Sequence, residues 1–123
     1  MKEKIYKFIC ERKEVTFVEL ERFFEGNGID YKGDFAIGTS TGVPVYMWFG
    51  WKEEIAKILA QLRSEKKITF FPATVFIYLV DGKVPSVPIY KGRRVKKDHW
   101  LPALVCTKEH ADKLERQILK NQK

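Results

Sequence analysis

The chain is poor in the residues that build metal and nucleophile sites: 123 residues contain two cysteines and two histidines. Cys10 and Cys106 stand alone, without the C-x-x-C spacing of a zinc ligand set. Each has apolar neighbours, which reads as a buried, reduced thiol rather than a nucleophile beside a base. His99 and His110 have no second ligand type one helical turn away, so neither metal nor cofactor is expected. No apolar run approaches the roughly 18 residues of a spanning helix. The N-terminus, Met1-Lys2-Glu3-Lys4-Ile5, mixes charges where a secretory signal carries an apolar core, so a cytoplasmic chain that avoids the membrane is expected. Internal repeats and low-complexity tracts are lacking as well.

Apolar surface and positive charge are plentiful. Hydrophobic residues make up 45% of the chain and aromatics 14%, nine of them Phe, more than a disordered chain carries. The length suits a single domain, 1–123, around one core. Lys plus Arg outnumber Asp plus Glu by 23 to 16, a net charge of +7. A balance of that sign and size attracts polyanions, nucleic acid first among them.

The chain is organised around residues 48–71, where an aromatic strand, a helix and another strand follow directly on one another. Ile55, Ile58, Leu59 and Leu62 fall at i, i+3, i+4 and i+7, so one face packs while Glu53, Glu54, Lys57, Gln61 and Ser64 face outward. An amphipathic helix is expected over 2–13, with Ile5, Phe8 and Ile9 on its packing side. Thr16-Phe17-Val18-Glu19 is a capping box, and Val15 and Leu20 stand where a hydrophobic staple puts them. A short helix over about 17–25 follows. Gly26, Asn27 and Gly28 supply residues tolerant of positive φ at its end.

The glycine-rich stretch that follows is turn chemistry around a brief strand at Phe35-Ala36-Ile37; it matches no phosphate-loop spacing. Val43 to Phe49 is strand-like. Tyr46, Trp48, Phe49 and Trp51 could stack on bases, but clustered ahead of a helix they read as core. Ile68 to Phe71 and Val75 to Val80, around Pro72-Ala73-Thr74, are expected to form a β-hairpin. Asp81-Gly82-Lys83 is a tight turn rather than part of a nuclease motif. Pro85 and Pro88 confine any strand over 83–90 to a sheet edge. Lys91, Arg93, Arg94, Lys96 and Lys97 then place five cations in seven residues. A strand-like stretch from His99 to Cys106, broken at Pro102, leads to a last helix over about 108–120 capped by Thr107. No catalytic constellation emerges, and an enzyme is not expected.

Helix, minimal strand, helix, then a longer helix followed at once by a hairpin is an order that resembles the winged helix-turn-helix superfamily. The residues carrying it are the helix near 2–13, the capped Thr16-Phe17-Val18-Glu19 helix, the Glu53 to Lys67 helix and the Ile68 to Val80 hairpin. The expected fold is α+β: a winged-helix-like core of three helices and a small antiparallel sheet over 1–90, with a basic loop, strand and C-terminal helix over 91–123. The resemblance implies contacts to double-stranded DNA through Lys52, Lys57, Gln61 and Ser64 of the third helix. The chain departs from the pattern in a long insertion between the second and third helices, in the acidic start Glu53-Glu54, and in an uncharged wing tip. Phosphate contact is therefore assigned chiefly to Lys91, Arg93, Arg94, Lys96 and Lys97, with Lys57 and Gln61 secondary. Order and charge together suggest a small DNA-binding protein, such as a transcriptional regulator or an accessory factor of a mobile element. The alternative is a protein-interaction module on the same scaffold, as a homodimer or with another partner, using the terminal helix or the proline-bearing edge.

Overall fold

Thr16 and Glu19 set the first corner of the chain. The Thr16 hydroxyl accepts the Glu19 N–H at 3.0 Å, and the Glu19 carboxylate accepts the Thr16 N–H at 3.1 Å. Two donors that a first helical turn leaves unpaired are thereby satisfied. This box starts helix α2 (Phe17–Gly26), which follows α1 (Lys2–Arg12) and the two-residue strand β1 (Glu14–Val15). Val15 and Leu20, the staple pair, are both fully buried. α1 buries Ile5 and Ile9. Cys10 is exposed on its other side, against expectation, because those two isoleucines define the packing face; Cys106 is buried.

The computed structural model describes residues 1–39, 43–92 and 94–121. Among them are five helices and two three-stranded sheets, a mixed α+β fold. After α2, β2 (Lys32–Gly38) and β3 (Val45–Trp51) pair antiparallel with an irregular register. β3 delivers Trp48 and Trp51 into the core, as their clustering suggested. α3 (Glu53–Ser64) packs through Ile55, Ala56, Leu59 and Leu62. It stops short of Lys67 because Lys66 takes a left-handed φ of 61°, after which β4 (Ile68–Pro72) begins.

The expected hairpin partner of β4 is not a strand. Val75–Asp81 forms a helix, α4. A short run that is apolar on every position fits a buried strand and a helix equally well. Here the flanks decide: Thr74 is extended at the helix start, and Gly82 closes the end at φ 81°, its N–H bonded to the carbonyls of Tyr78 and Leu79. Asp81-Gly82 is thus a helix end and not a hairpin turn. Val84 to Tyr90 forms no strand either, only an isolated bridge from Ile89 to Trp100. Two further strands, β5 (His99–Trp100) and β6 (Ala103–Thr107), lie either side of Pro102 and join different sheets, and α5 (Lys108–Asn121) is the last described element.

In the first sheet β6 lies between β1 and β4, antiparallel to both, so Ile68 sits opposite Thr107 and Glu14 opposite Cys106. In the second, β3 lies between β2 and β5 and is parallel to β5. An aromatic core joins the two. Phe17 stacks near Trp48 (5.9 Å between ring centres), Trp48 near Tyr78 (5.3 Å) and Tyr78 edge-on to Trp100 (5.1 Å). The Tyr78 hydroxyl donates to the Ala103 carbonyl at 2.6 Å and accepts the Phe17 N–H at 3.2 Å, tying α4 to α2 and β6. Burying each such ring contributes roughly 2–3 kcal/mol. No helix among the described residues is long and apolar enough to cross a membrane.

Candidate nucleic-acid interface

The outer face of α3 keeps the residues that the sequence put there, with their charges largely answered. Lys57 Nζ lies 3.6 Å from Glu53, one turn earlier, and both are exposed. Lys52, just before the helix, sits 2.9 Å from Asp30. The hydrogen bond between these two holds the Lys52 ammonium above and the Asp30 carboxyl below their ordinary ranges. The Ser64 hydroxyl turns back to donate to the Gln61 carbonyl at 2.8 Å, and the Gln61 side chain is open to solvent. Glu53 and Glu54 occupy the exposed first turn. They complement the helix dipole and repel phosphate.

The basic run is different. Lys91, Arg94, Lys96 and Lys97 are exposed and form no ion pair among the described residues; Arg93 lies outside them. Both ends of the segment are fastened. The Tyr90 N–H bonds to the Trp100 carbonyl and the Trp100 N–H to the Pro88 carbonyl, each at 2.8 Å. His99 Nδ1 lies 2.8 Å from the Lys97 carbonyl, and the His99 N–H bonds to the Pro44 carbonyl at 3.0 Å. His99 is a strand-edge residue whose ring hydrogen-bonds. The run therefore hangs from β5, one edge of the second sheet, while α3 packs against β2 at the other edge. The two predicted groups of contact residues belong to opposite edges of that sheet.

A second concentration of charge escapes sequence reasoning. Lys13 follows α1, Lys66 and Lys67 follow α3, and Lys108 and Lys113 lie on the first turns of α5; all five line one cavity of about 470 Å³. Each lysine is visible in the sequence, four of them beside a helix end and Lys113 within the last helix. Their convergence depends on the β1-β6-β4 order, which pattern alone did not supply.

A second cavity, about 490 Å³, is lined by Glu21, Tyr31, Trp48, Phe49, Lys83 and Val87 among others. Glu21 is only 4% exposed. One of its oxygens accepts the indole N–H groups of Trp48 and Trp51, both at 2.8 Å, and the other meets the Lys83 ammonium. The carboxylate is saturated by its own chain, so its role here is to satisfy buried donors. Tyr31 on the same wall donates to Glu25 at 2.7 Å; burial first, and that bond second, push its hydroxyl above the ordinary tyrosine range.

Compared with known protein families, with curated proteins and with solved structures, the chain finds no match in any of the three.

Proposed function

We propose that the chain is a small double-stranded-DNA-binding protein on a winged-helix-like scaffold, holding the duplex by its phosphates rather than reading bases with α3. The observation that carries this is the exposed, unpaired group Lys91, Arg94, Lys96 and Lys97 on a chain of net charge +7. Lysine and arginine in that state neutralise phosphate at little desolvation cost. Arg93 belongs to the same run in the sequence. Lys57 and Gln61 are secondary, since Lys57 is already beside Glu53.

The scaffold reading draws support from the first sheet. The strand after α3 and the last strand are antiparallel neighbours, and the strand between α1 and α2 completes the sheet on β6. On this reading β4 and β6 are the two sides of the wing, and the described residues between 73 and 102, with α4 and β5, are its enlarged tip. The long segment between α2 and α3 is the β2-β3 pair, which supplies the rest of the second sheet.

Fluorescence anisotropy on a generic duplex at about 50 and about 200 mM salt tests this, because four phosphate contacts give a log–log slope of roughly −3.6. Replacing Lys91, Arg94, Lys96 and Lys97 with Ala is expected to flatten that slope. Failure of the folded protein to bind at the lower salt would sink the reading.

A protein-interaction module is the second reading, favoured by one observation: α4 leaves Phe76 71%, Leu79 55% and Val80 88% exposed. Isolated apolar residues are normal on a surface, whereas these three, with Ile77 also exposed on the same short helix, make a patch that a partner can cover.

A further inference from the structure

The five lysines gathered at the end of the first sheet stand close together at some cost to stability. The β-ladder continues past the strand ends: the Lys108 N–H bonds to the Lys67 carbonyl at 3.1 Å, and the Thr107 N–H to the Lys13 carbonyl at 2.9 Å. Lys67 is therefore set opposite Lys108, continuing the register in which Ile68 faces Thr107. Like charges directly opposite one another destabilise a sheet. Lys13 and Lys66 are, among the described residues, the two non-glycine positions with positive φ, 69° and 61°. Each follows a helix end, where glycine is the residue of least strain.

The carboxylates nearby answer only part of this charge. Lys108 pairs with Asp112 at 2.6 Å, Lys113 with Glu109 at 3.5 Å, and Lys67 with Glu65 at 3.6 Å while lying over the Tyr6 ring. Glu14 faces His110 at 3.2 Å. Lys13 and Lys66 form no ion pair among the described residues. Lysine after a helix end complements the dipole. That accounts for Lys13, Lys66 and Lys67 separately, but not for Lys108 and Lys113 at the start of α5, where the dipole opposes them, nor for five lysines lining one space.

We infer that this cavity is a phosphate-binding site, with Lys13 and Lys66 as its free cations and Lys67, Lys108 and Lys113 on its walls beside Glu109 and His110. Each ammonium brings three donors on a flexible stem, and the tetrahedral oxygens of a phosphate accept from several directions at once. At about 470 Å³ the cavity has room for roughly fifteen waters at ~30 Å³ each, so a phosphate can enter with its ester substituents attached. If the chain binds duplex DNA as proposed above, a backbone phosphodiester is the source; free phosphate is the other.

The test uses the variant Lys13→Gly/Lys66→Gly, which removes both free cations and relieves the backbone, so its thermal midpoint is expected to hold or rise. Its partner is Lys91→Ala/Arg94→Ala/Lys96→Ala/Lys97→Ala, and the probes are a generic duplex and inorganic phosphate at constant ionic strength. The expected result is weaker duplex binding by the glycine variant, with a salt slope shallower by ~1.8, which amounts to ~12-fold between about 50 and 200 mM salt. Unchanged duplex affinity and slope in the glycine variant, with the basic-run variant defective, overturns the site and leaves the duplex reading standing. A wild-type midpoint that rises with phosphate, lost in the glycine variant, with no duplex binding by either, keeps the site and overturns the duplex reading. A wild-type chain that responds to neither probe overturns both.

Discussion

Glu21 Oε2 accepts the Trp51 indole N–H at 2.8 Å, a buried bond from the middle of α2 to the last residue of β3. The same oxygen takes the Trp48 indole, and Lys83 reaches over to the other oxygen. A buried carboxylate is tolerable only with its lone pairs filled, and a buried indole only with its N–H accepted. Glu21→Ala leaves two indole donors unpaired, at roughly 1–3 kcal/mol each. The expected loss of unfolding free energy is about 3 kcal/mol, read from urea titration. Glu21→Gln keeps an acceptor for the indoles and is expected to lose less than half as much. A change below about 1 kcal/mol in Glu21→Ala would contradict this account.

Gly33 is fixed by closeness rather than by φ. A Cβ there would stand 2.8 Å from the Trp51 carbonyl oxygen and 3.0 Å from Lys52 N and Cα. Lys32 and Phe35 both pair with Trp51, so the chain bulges at this point and runs against the backbone of β3. Backbone atoms cannot swing aside as a side-chain tip can. Gly33→Ala is expected to cost about 1–3 kcal/mol, in the range of an overpacked interior. Because the pressure falls on Trp51, tryptophan emission should shift in the same variant. An unshifted spectrum at wild-type stability would show that the two strands part freely.

What could be read from the sequence was what depends on near neighbours. The Thr16-Glu19 box, the α3 stripe of Ile55, Leu59 and Leu62, the Thr107 start of α5 and the core role of Trp48 and Trp51 are set by spacing along the chain. The Thr107 hydroxyl does accept the His110 N–H, at 3.3 Å. Val75 to Val80 failed because a run apolar on every position has no period. Its helix is closed locally by Gly82, but it is held by the Tyr78 hydroxyl bridging Phe17 and Ala103, contacts between residues far apart in sequence. The same holds for the candidate sites. Lys91 to Lys97 was legible as a contiguous run, while Lys13, Lys66 and Lys108 meet only because β6 lies between β1 and β4.

Alkaline stability follows from the buried thiol and phenols. Burial pushes the Cys106 thiol up to about 11, and burial likewise raises the hydroxyls of Tyr78 and Tyr31. In the unfolded chain a thiol ionises near ~8.5 and a tyrosine near ~10. The folded state thus holds protons that the unfolded state has released. The stabilisation is complete below about pH 8.5 and is lost as pH rises toward 11, by up to ~1.4 kcal/mol per pH unit for each group. Urea midpoints are expected to fall between about pH 8.5 and 10 through Cys106, and more steeply above that through the tyrosines. Cys106→Ala should flatten the first part of the curve and leave the second. A wild-type midpoint independent of pH up to about 10 would exclude this role for Cys106.

α4 is anchored chiefly by Tyr78, with Val75 packed against the core and Asp81 bonded to Thr16 and Arg22. Tyr78 is fully buried and hydrogen-bonded at both faces of its hydroxyl, whereas Phe76, Leu79 and Val80 on the same helix are open to solvent. Those side chains contribute little to the fold as it stands, so Phe76→Ser/Val80→Ser is expected to leave the urea midpoint within about 0.5 kcal/mol of wild type. If α4 is a docking face, the same variant abolishes concentration-dependent association, measured by light scattering. Ile118 and Leu119, exposed on α5, give the control, because a terminal-helix interface would respond to Ile118→Ser/Leu119→Ser instead. Val84 and Ile89 are the exposed apolar positions of the proline-bearing segment, and their serine variants test the remaining surface. A wild-type chain that stays monomeric at about millimolar concentration would leave self-association without support. The lysine surfaces would then carry the proposed function alone.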